Sequence, residues 1–226
     1  MAELILVGTV HGDPQGYQRA WKCLECWRPS LITVEISPFS LRYRQRHGPA
    51  WRRQFQRASS QLPPGARQHL ALRRIEAQLA WPFEAQAAQD YAQQHNIGWR
   101  AIDSGRLSRS QLRRYHSELL TPKNFHNLLL TEDGDWGQYI STEYRQAHLA
   151  LGHPKRFAFP CRYLWTSPSM LRRDRIMARR LRALAQVASP VVHLGGWTHL
   201  LTGTGLTTLA QHLADLKPQR WLLDQF

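Results

Sequence analysis

Two stretches near opposite ends of the chain share one pattern. Leu4-Ile5-Leu6-Val7-Gly8-Thr9-Val10-His11 and Val191-Val192-His193-Leu194-Gly195-Gly196-Trp197-Thr198-His199 each run from apolar residues into a glycine, two further residues and a histidine. A short, continuous apolar run predicts a strand buried on both faces, which belongs in a parallel sheet. Open α/β sheets bind ligands beyond the carboxyl ends of their strands. His11 and His199 are therefore expected on that rim.

Two more strands carry polar groups in the same place. Leu31-Ile32-Thr33-Val34-Glu35-Ile36 is expected as the second strand, with Glu35 near its end, and Trp99-Arg100-Ala101-Ile102-Asp103 as a third ending in a carboxylate. Trp221-Leu222-Leu223 reads as a last strand. Helices are predicted between them, over Gly16–Cys26, Leu41–Arg57, Ala66–Leu79, Phe83–His95, Ser169–Val187 and Leu206–Leu216, from apolar positions at helical spacing and from capping residues. Within 106–170, short helices are expected from about Ser108 to Leu120 and from Asn124 to Leu130. Residues 131–135 read as an acidic loop and 152–168 as an aromatic, proline-broken segment. The expectation is one α/β domain over residues 1–226, with a mixed, largely parallel central sheet flanked by helices. Residues 106–168 would form a mostly helical insertion or lid.

If the strands are parallel and adjacent, His11, Glu35, Asp103 and His199 share one rim. Two imidazoles and a carboxylate (His11, His199, Glu35) can hold a divalent ion and leave positions for water. The ion would lower that water's pKa and make a nucleophile. Without a metal, the same groups serve as general base and acid. Each also has a plainer reading: a structural histidine, a helix-capping or arginine-paired Glu35, a turn-forming Asp103.

The 226 residues carry a formal net charge of +14, and 26 of the 30 basic residues are Arg. Such a balance suits an anionic substrate, an acidic surface or nucleic acid, or reflects a compositional preference for Arg on solvated helix faces. No nucleic-acid-binding module is recognisable. Cys23-Leu24-Glu25-Cys26 has CxxC spacing, but no second pair completes a tetrahedral site, so reduced structural thiols are expected. With Cys161 the cysteine count is odd, which suits a reducing compartment. The amino-terminal apolar run is too short for a signal peptide, and no stretch approaches the roughly 20 apolar residues of a membrane span. A cytoplasmic protein is the expectation. The oligomeric state is open, with a dimer allowed.

Gly8-Thr9-Val10-His11, Val34-Glu35, Arg173-Asp174 with Met177-Ala178, and Gly196-Trp197-Thr198-His199 together resemble the motifs of the TraB/PrgY–Tiki superfamily, which is related to ChaN-like haem-binding proteins and erythromycin esterases. The helix containing Glu84, followed by the strand ending at Asp103, is similar to that family's middle segment. The family usually has a Glu before its Arg-Asp, where this chain has Arg172. The resemblance implies an α/β fold and a hydrolase of a peptide, ester or amide bond, acting on a peptide or small-molecule substrate. Tiki-type members are described as manganese- or cobalt-dependent proteases, and the erythromycin esterases as metal-free enzymes with a histidine base. Carried over, His11, Glu35 and His199 would be metal ligands (to Mn, Co or Zn) or acid–base groups. Arg173 would steady an anionic intermediate or hold Glu35. On the ChaN-like alternative the chain would bind haem or another small ligand, with a Tyr or His of 106–168 as axial ligand. Read without the resemblance, Arg172, Arg173, Asp174 and Arg175 form only a solvated helix face.

Overall fold

The computed structural model describes residues 3–153, 168–203 and 207–226. Cys161 and most of the proline-broken 152–168 segment lie outside the described residues. Five strands form one sheet: β1 (Leu4–Thr9), β2 (Leu31–Val34), β3 (Gly98–Ala101), β4 (Val191–Gly196) and β5 (Gln219–Leu222). Their order is β3-β2-β4-β1-β5, and every pairing is parallel. The expected mixture of directions is absent among the described residues. The helical connections explain this, since each carries the chain back across a face of the sheet before the next strand.

The strands alternate between two cores. Ile5, Val7, Ile32, Val34, Val192 and Leu194 meet α1 (Gly16–Trp27), α4 (Phe83–His95) and α7 (Trp136–Gly152). Leu4, Leu6, Leu31 and Val191 face the opposite way, against Met177 and Leu181 of α8 (Pro168–Ala185) and Leu209 of the short α9 (Leu209–His212). Burial on both faces is what the unbroken apolar runs demand.

A third core is purely helical. Trp51 and Phe55 of α2 (Pro38–Ser59), Leu72, Ile75 and Leu79 of α3 (Leu70–Leu79), Leu112 of α5 (Gly105–Arg114) and Phe125 of α6 (Pro122–Leu128) pack together. Helix α2 leaves the carboxyl end of β2 and α5 leaves that of β3, so this helical layer is tied to the rim where the polar groups were expected. It draws on 38–79 as well as on the expected insertion. Helix α2 is longer than its sequence pattern predicts: Pro38 opens it, and the Ser37 hydroxyl accepts a hydrogen bond from the Ser40 N–H. Helix α7 was not expected. Ile140, Tyr144, Ala147 and Ala150 are its buried face, and Asp135 caps it by accepting from the Gln138 N–H. Among the described residues no helix is long and apolar enough to cross a membrane.

Arginine is not evenly spread. Helix α2 carries six arginines and α5 four, and neither helix contains an Asp or Glu.

Candidate active site

Strand order places the four expected rim residues side by side. Asp103 follows β3, Glu35 follows β2, His199 follows β4 and His11 follows β1, on four neighbouring strands. They fall into two clusters, one on each face of the sheet, which meet over Gly196.

On the α4 face, His11 Nδ1 lies 2.7 Å from Glu84 Oε1, and the Thr9 hydroxyl donates to the same oxygen at 2.9 Å. An ionised carboxylate only accepts, so Nδ1 carries the hydrogen and Nε2 keeps its lone pair in the neutral ring. Partial loss of water lowers the His11 pKa, but Glu84 outweighs it and the net shift is upward. Glu84 is buried, whereas 63% of the His11 side chain is accessible. The turn carrying His11 is fixed from below. Asp13 accepts from the Gln15 N–H, from Arg19 Nη1 at 2.7 Å and from the Tyr144 hydroxyl at 3.0 Å. Helix α7 therefore helps to set the histidine's position.

On the α8 face, Glu35 is the hub. Its Oε1 is 2.6 Å from Arg173 Nη2 and 2.9 Å from His199 Nε2, while its Oε2 accepts from the Gly196 N–H at 2.6 Å. Arg173 also reaches Asp103, Nε to Oδ1 at 2.9 Å, and Arg180 Nη1 donates to the carbonyls of Ile102 and Asp103. His199 Nδ1 stands 2.7 Å from Asp174 Oδ1, and Asp174 Oδ2 accepts from the Leu209 N–H. With a carboxylate on each nitrogen, His199 is an imidazolium. Burial opposes that charge, yet Glu35 and then Asp174 push the pKa up to about 10. Burial likewise disfavours ionised Glu35, but His199 and Arg173 hold its pKa well below the usual carboxylate range. Beneath them lies His193, fully buried, with Nδ1 3.0 Å from the Thr33 hydroxyl and Nε2 without a hydrogen-bond partner. Burial drives its pKa down to about 4, so it is neutral.

Gly195 permits this crowding, and Gly196 leaves open space beside it. A Cβ on Gly195 would lie 2.8 Å from Glu35 Oε2 and 2.9 Å from His193 Nε2. One on Gly196 would lie 3.4 Å from His11 Nε2 and 3.5 Å from Glu35 Oε2, so the bare backbone at 196 separates the two clusters. His11, Glu84, Glu35, Asp103 and Arg173 all border one cavity of about 700 Å³, whose outer wall is contributed by α2, α3, α5 and the residues around Trp136.

The donor set does not fit a metal. Both nitrogens of His199 face carboxylates, and both oxygens of Glu35 are taken by Arg173, His199 and the Gly196 N–H. Holding a divalent ion would require His199 to lose its proton and Glu35 to leave Arg173. Among the described residues no group of three or more His, Cys, Asp or Glu side chains is arranged to bind one. Of the tyrosines of 106–168, Tyr115 and Tyr139 border this cavity.

The two thiols of the CxxC pair differ in their surroundings. Cys23 is buried, and burial pushes its thiol pKa up to about 12, while Cys26 is exposed. Sequence reasoning gave no role to His193 or to Asp174, which it quoted only within a motif, and placed Glu84 only on a helix. Asp174 sits in an arginine-rich run that reads as solvated, yet it is fully buried.

No protein-family model matches the chain, and neither a curated protein nor a solved structure does.

Proposed function

We propose that the chain is a metal-free hydrolase of an ester, amide or peptide bond, with His11 as its general base. The observation that carries this reading is the 2.7 Å contact between His11 Nδ1 and buried Glu84, which orients the ring and leaves an accessible Nε2 at the cavity. Of the activities implied by the motif resemblance, the histidine-base chemistry is the one these contacts support.

In this reading His11 Nε2 takes a proton from water above Gly196, and the hydroxide oxygen bonds to the substrate's carbonyl carbon. The carbonyl oxygen becomes an oxyanion facing Arg173, a permanent cation. As the tetrahedral intermediate collapses, the C–O or C–N bond breaks and His11 returns its proton to the leaving group. Glu35 and Asp103 hold Arg173 in place. His199 and Asp174 are positioning residues that keep Glu35 ionised.

The test uses protein prepared in EDTA, with p-nitrophenyl esters and chromogenic amides as substrates. Expected is hydrolysis that ignores the chelator and falls by about 100-fold or more in His11→Gln. The reading is overturned by activity that appears only when manganese, cobalt or zinc is returned, with one ion per chain by mass spectrometry. It is equally overturned by activity that survives in His11→Gln.

A further inference from the structure

The cavity has a second, basic wall that the chemistry above does not use. Arg44 of α2 and Arg74 of α3 border it, as do the aromatic residues Trp81, Trp136 and Tyr139. The four carboxylates of the lining are all committed: Glu84 to His11, Glu35 and Asp103 to Arg173, and Asp13 to Arg19. Among the described residues neither Arg44 nor Arg74 is ion-paired with a carboxylate. Arg44 Nη1 donates to the carbonyls of Gln78 (2.6 Å) and Ala80 (3.3 Å), which satisfies hydrogen bonds without cancelling the charge. Its Nε is buried without a partner. Arg74 rests over the Tyr139 ring, 5.1 Å from its centroid.

Burial works against the Arg44 charge, while the Tyr115 hydroxyl and Glu84 favour it; Glu84 is already in contact with His11, so a guanidinium with no carboxylate in contact stays costly unless a ligand supplies one. Arg44 is already held by backbone carbonyls, so little ordering remains to oppose binding. The two helices that contribute to this wall have the same sign, since α2 and α5 carry arginines and no carboxylate, and such a field favours anions nearby.

We propose that Arg44 and Arg74 form an anion subsite, and that the substrate is an ester or amide bearing a carboxylate or phosphate at one end and the scissile carbonyl at the other. The assignment of the scissile bond rests on the hydrolase reading above. The anion subsite itself does not.

The test separates the two. Benzoate, phenyl phosphate and neutral benzamide are titrated calorimetrically into the wild type, Arg74→Gln and His11→Gln. In parallel, mono-p-nitrophenyl glutarate is compared with p-nitrophenyl butyrate as substrate. Expected is binding of benzoate or phenyl phosphate but not benzamide, weakened about tenfold in Arg74→Gln and retained in His11→Gln. The glutarate should be the better substrate by a similar factor, and that ratio should collapse in Arg74→Gln. Whichever anion binds more tightly identifies the carboxylate or the phosphate. Arg44→Gln is a secondary variant, because loss of its carbonyl contacts can unfold the α3 end. Equal binding of the anions and benzamide, or no change in Arg74→Gln, overturns the subsite and leaves His11-dependent hydrolysis standing. Anion binding by a protein that hydrolyses nothing overturns the hydrolase and leaves the subsite.

Discussion

His11 and Glu84 are 73 positions apart in sequence and 2.7 Å apart in space, joined across the β1–α4 face of the sheet. Glu84 does two things to the ring: it fixes the tautomer with the lone pair on Nε2, and it raises the pKa. Replacing Glu84 with Gln should therefore lower the hydrolytic rate by about 100-fold, since the amide can present its N–H to Nδ1 and trap the wrong tautomer. It should also move the pH profile. Activity that depends on neutral His11 rises with pH through the histidine's pKa, so removing the carboxylate shifts that rise to lower pH. A residual rate with an unshifted profile would rule out this role.

Gly195 and Gly196 are adjacent, and alanine is predicted to behave oppositely at the two. At 195 the new methyl meets Glu35 Oε2 and His193 Nε2 inside 3 Å, in a packed and buried place. Gly195→Ala should destabilise the fold by about 1–3 kcal/mol, visible as a lowered Tm. At 196 the contacts are ordinary van der Waals distances and the backbone (φ −55°, ψ 135°) accepts any residue. Gly196→Ala should keep the wild-type Tm and lose activity, because the methyl fills the space between His11 and Glu35.

The Asp174–His199–Glu35 chain predicts a pH dependence of stability. The folded pKa of His199, about 10, lies above its ordinary value of 6.5. Its contribution is complete below pH 6.5 and declines as pH rises from there towards 10, where the unfolded chain has released a proton that the folded one keeps. Glu35 acts in the other direction. Its stabilisation is present above about 4.5, its ordinary value, and is lost as the folded group protonates at much lower pH. Urea unfolding across this range should show stability falling above pH 6.5, and His199→Gln should flatten that slope. His199→Ala should cost about 3–5 kcal/mol, because it leaves two buried carboxylates short of a partner.

The rim was legible because its signal is local. An apolar run followed by His11, Glu35 or Asp103 gives both the strand and the end of it at which the side chain sits. The parallel sheet then makes these ends coincide. What pairs with what was not legible. Nothing near Glu84 says that it faces His11, because that contact depends on how α4 lies on the sheet. Asp174 was hidden by composition, since its arginine neighbours Arg172 and Arg175 are exposed while it is buried. His193 was hidden by its apolar neighbours. Helix α7 did carry a signal in the spacing of Ile140, Tyr144, Ala147 and Ala150, obscured by the two glycines at its ends and the threonine and serine within it.

Cys23 and Cys26 offer a check on the α1 packing that is independent of any activity. Buried Cys23 has a thiol pKa pushed up to about 12, so it carries almost no thiolate near neutral pH, and thiolate is the reactive form. Cys26 is exposed on the same helix. Iodoacetamide at pH 8 should modify Cys26 in the folded protein and reach Cys23 only after denaturation, as mapped by peptide mass spectrometry. Equal labelling of both in the folded protein would mean that α1 does not pack on the sheet through Cys23 as described. A pair working in redox chemistry would show the opposite order of events, with the two thiols joined on mild oxidation and protected together.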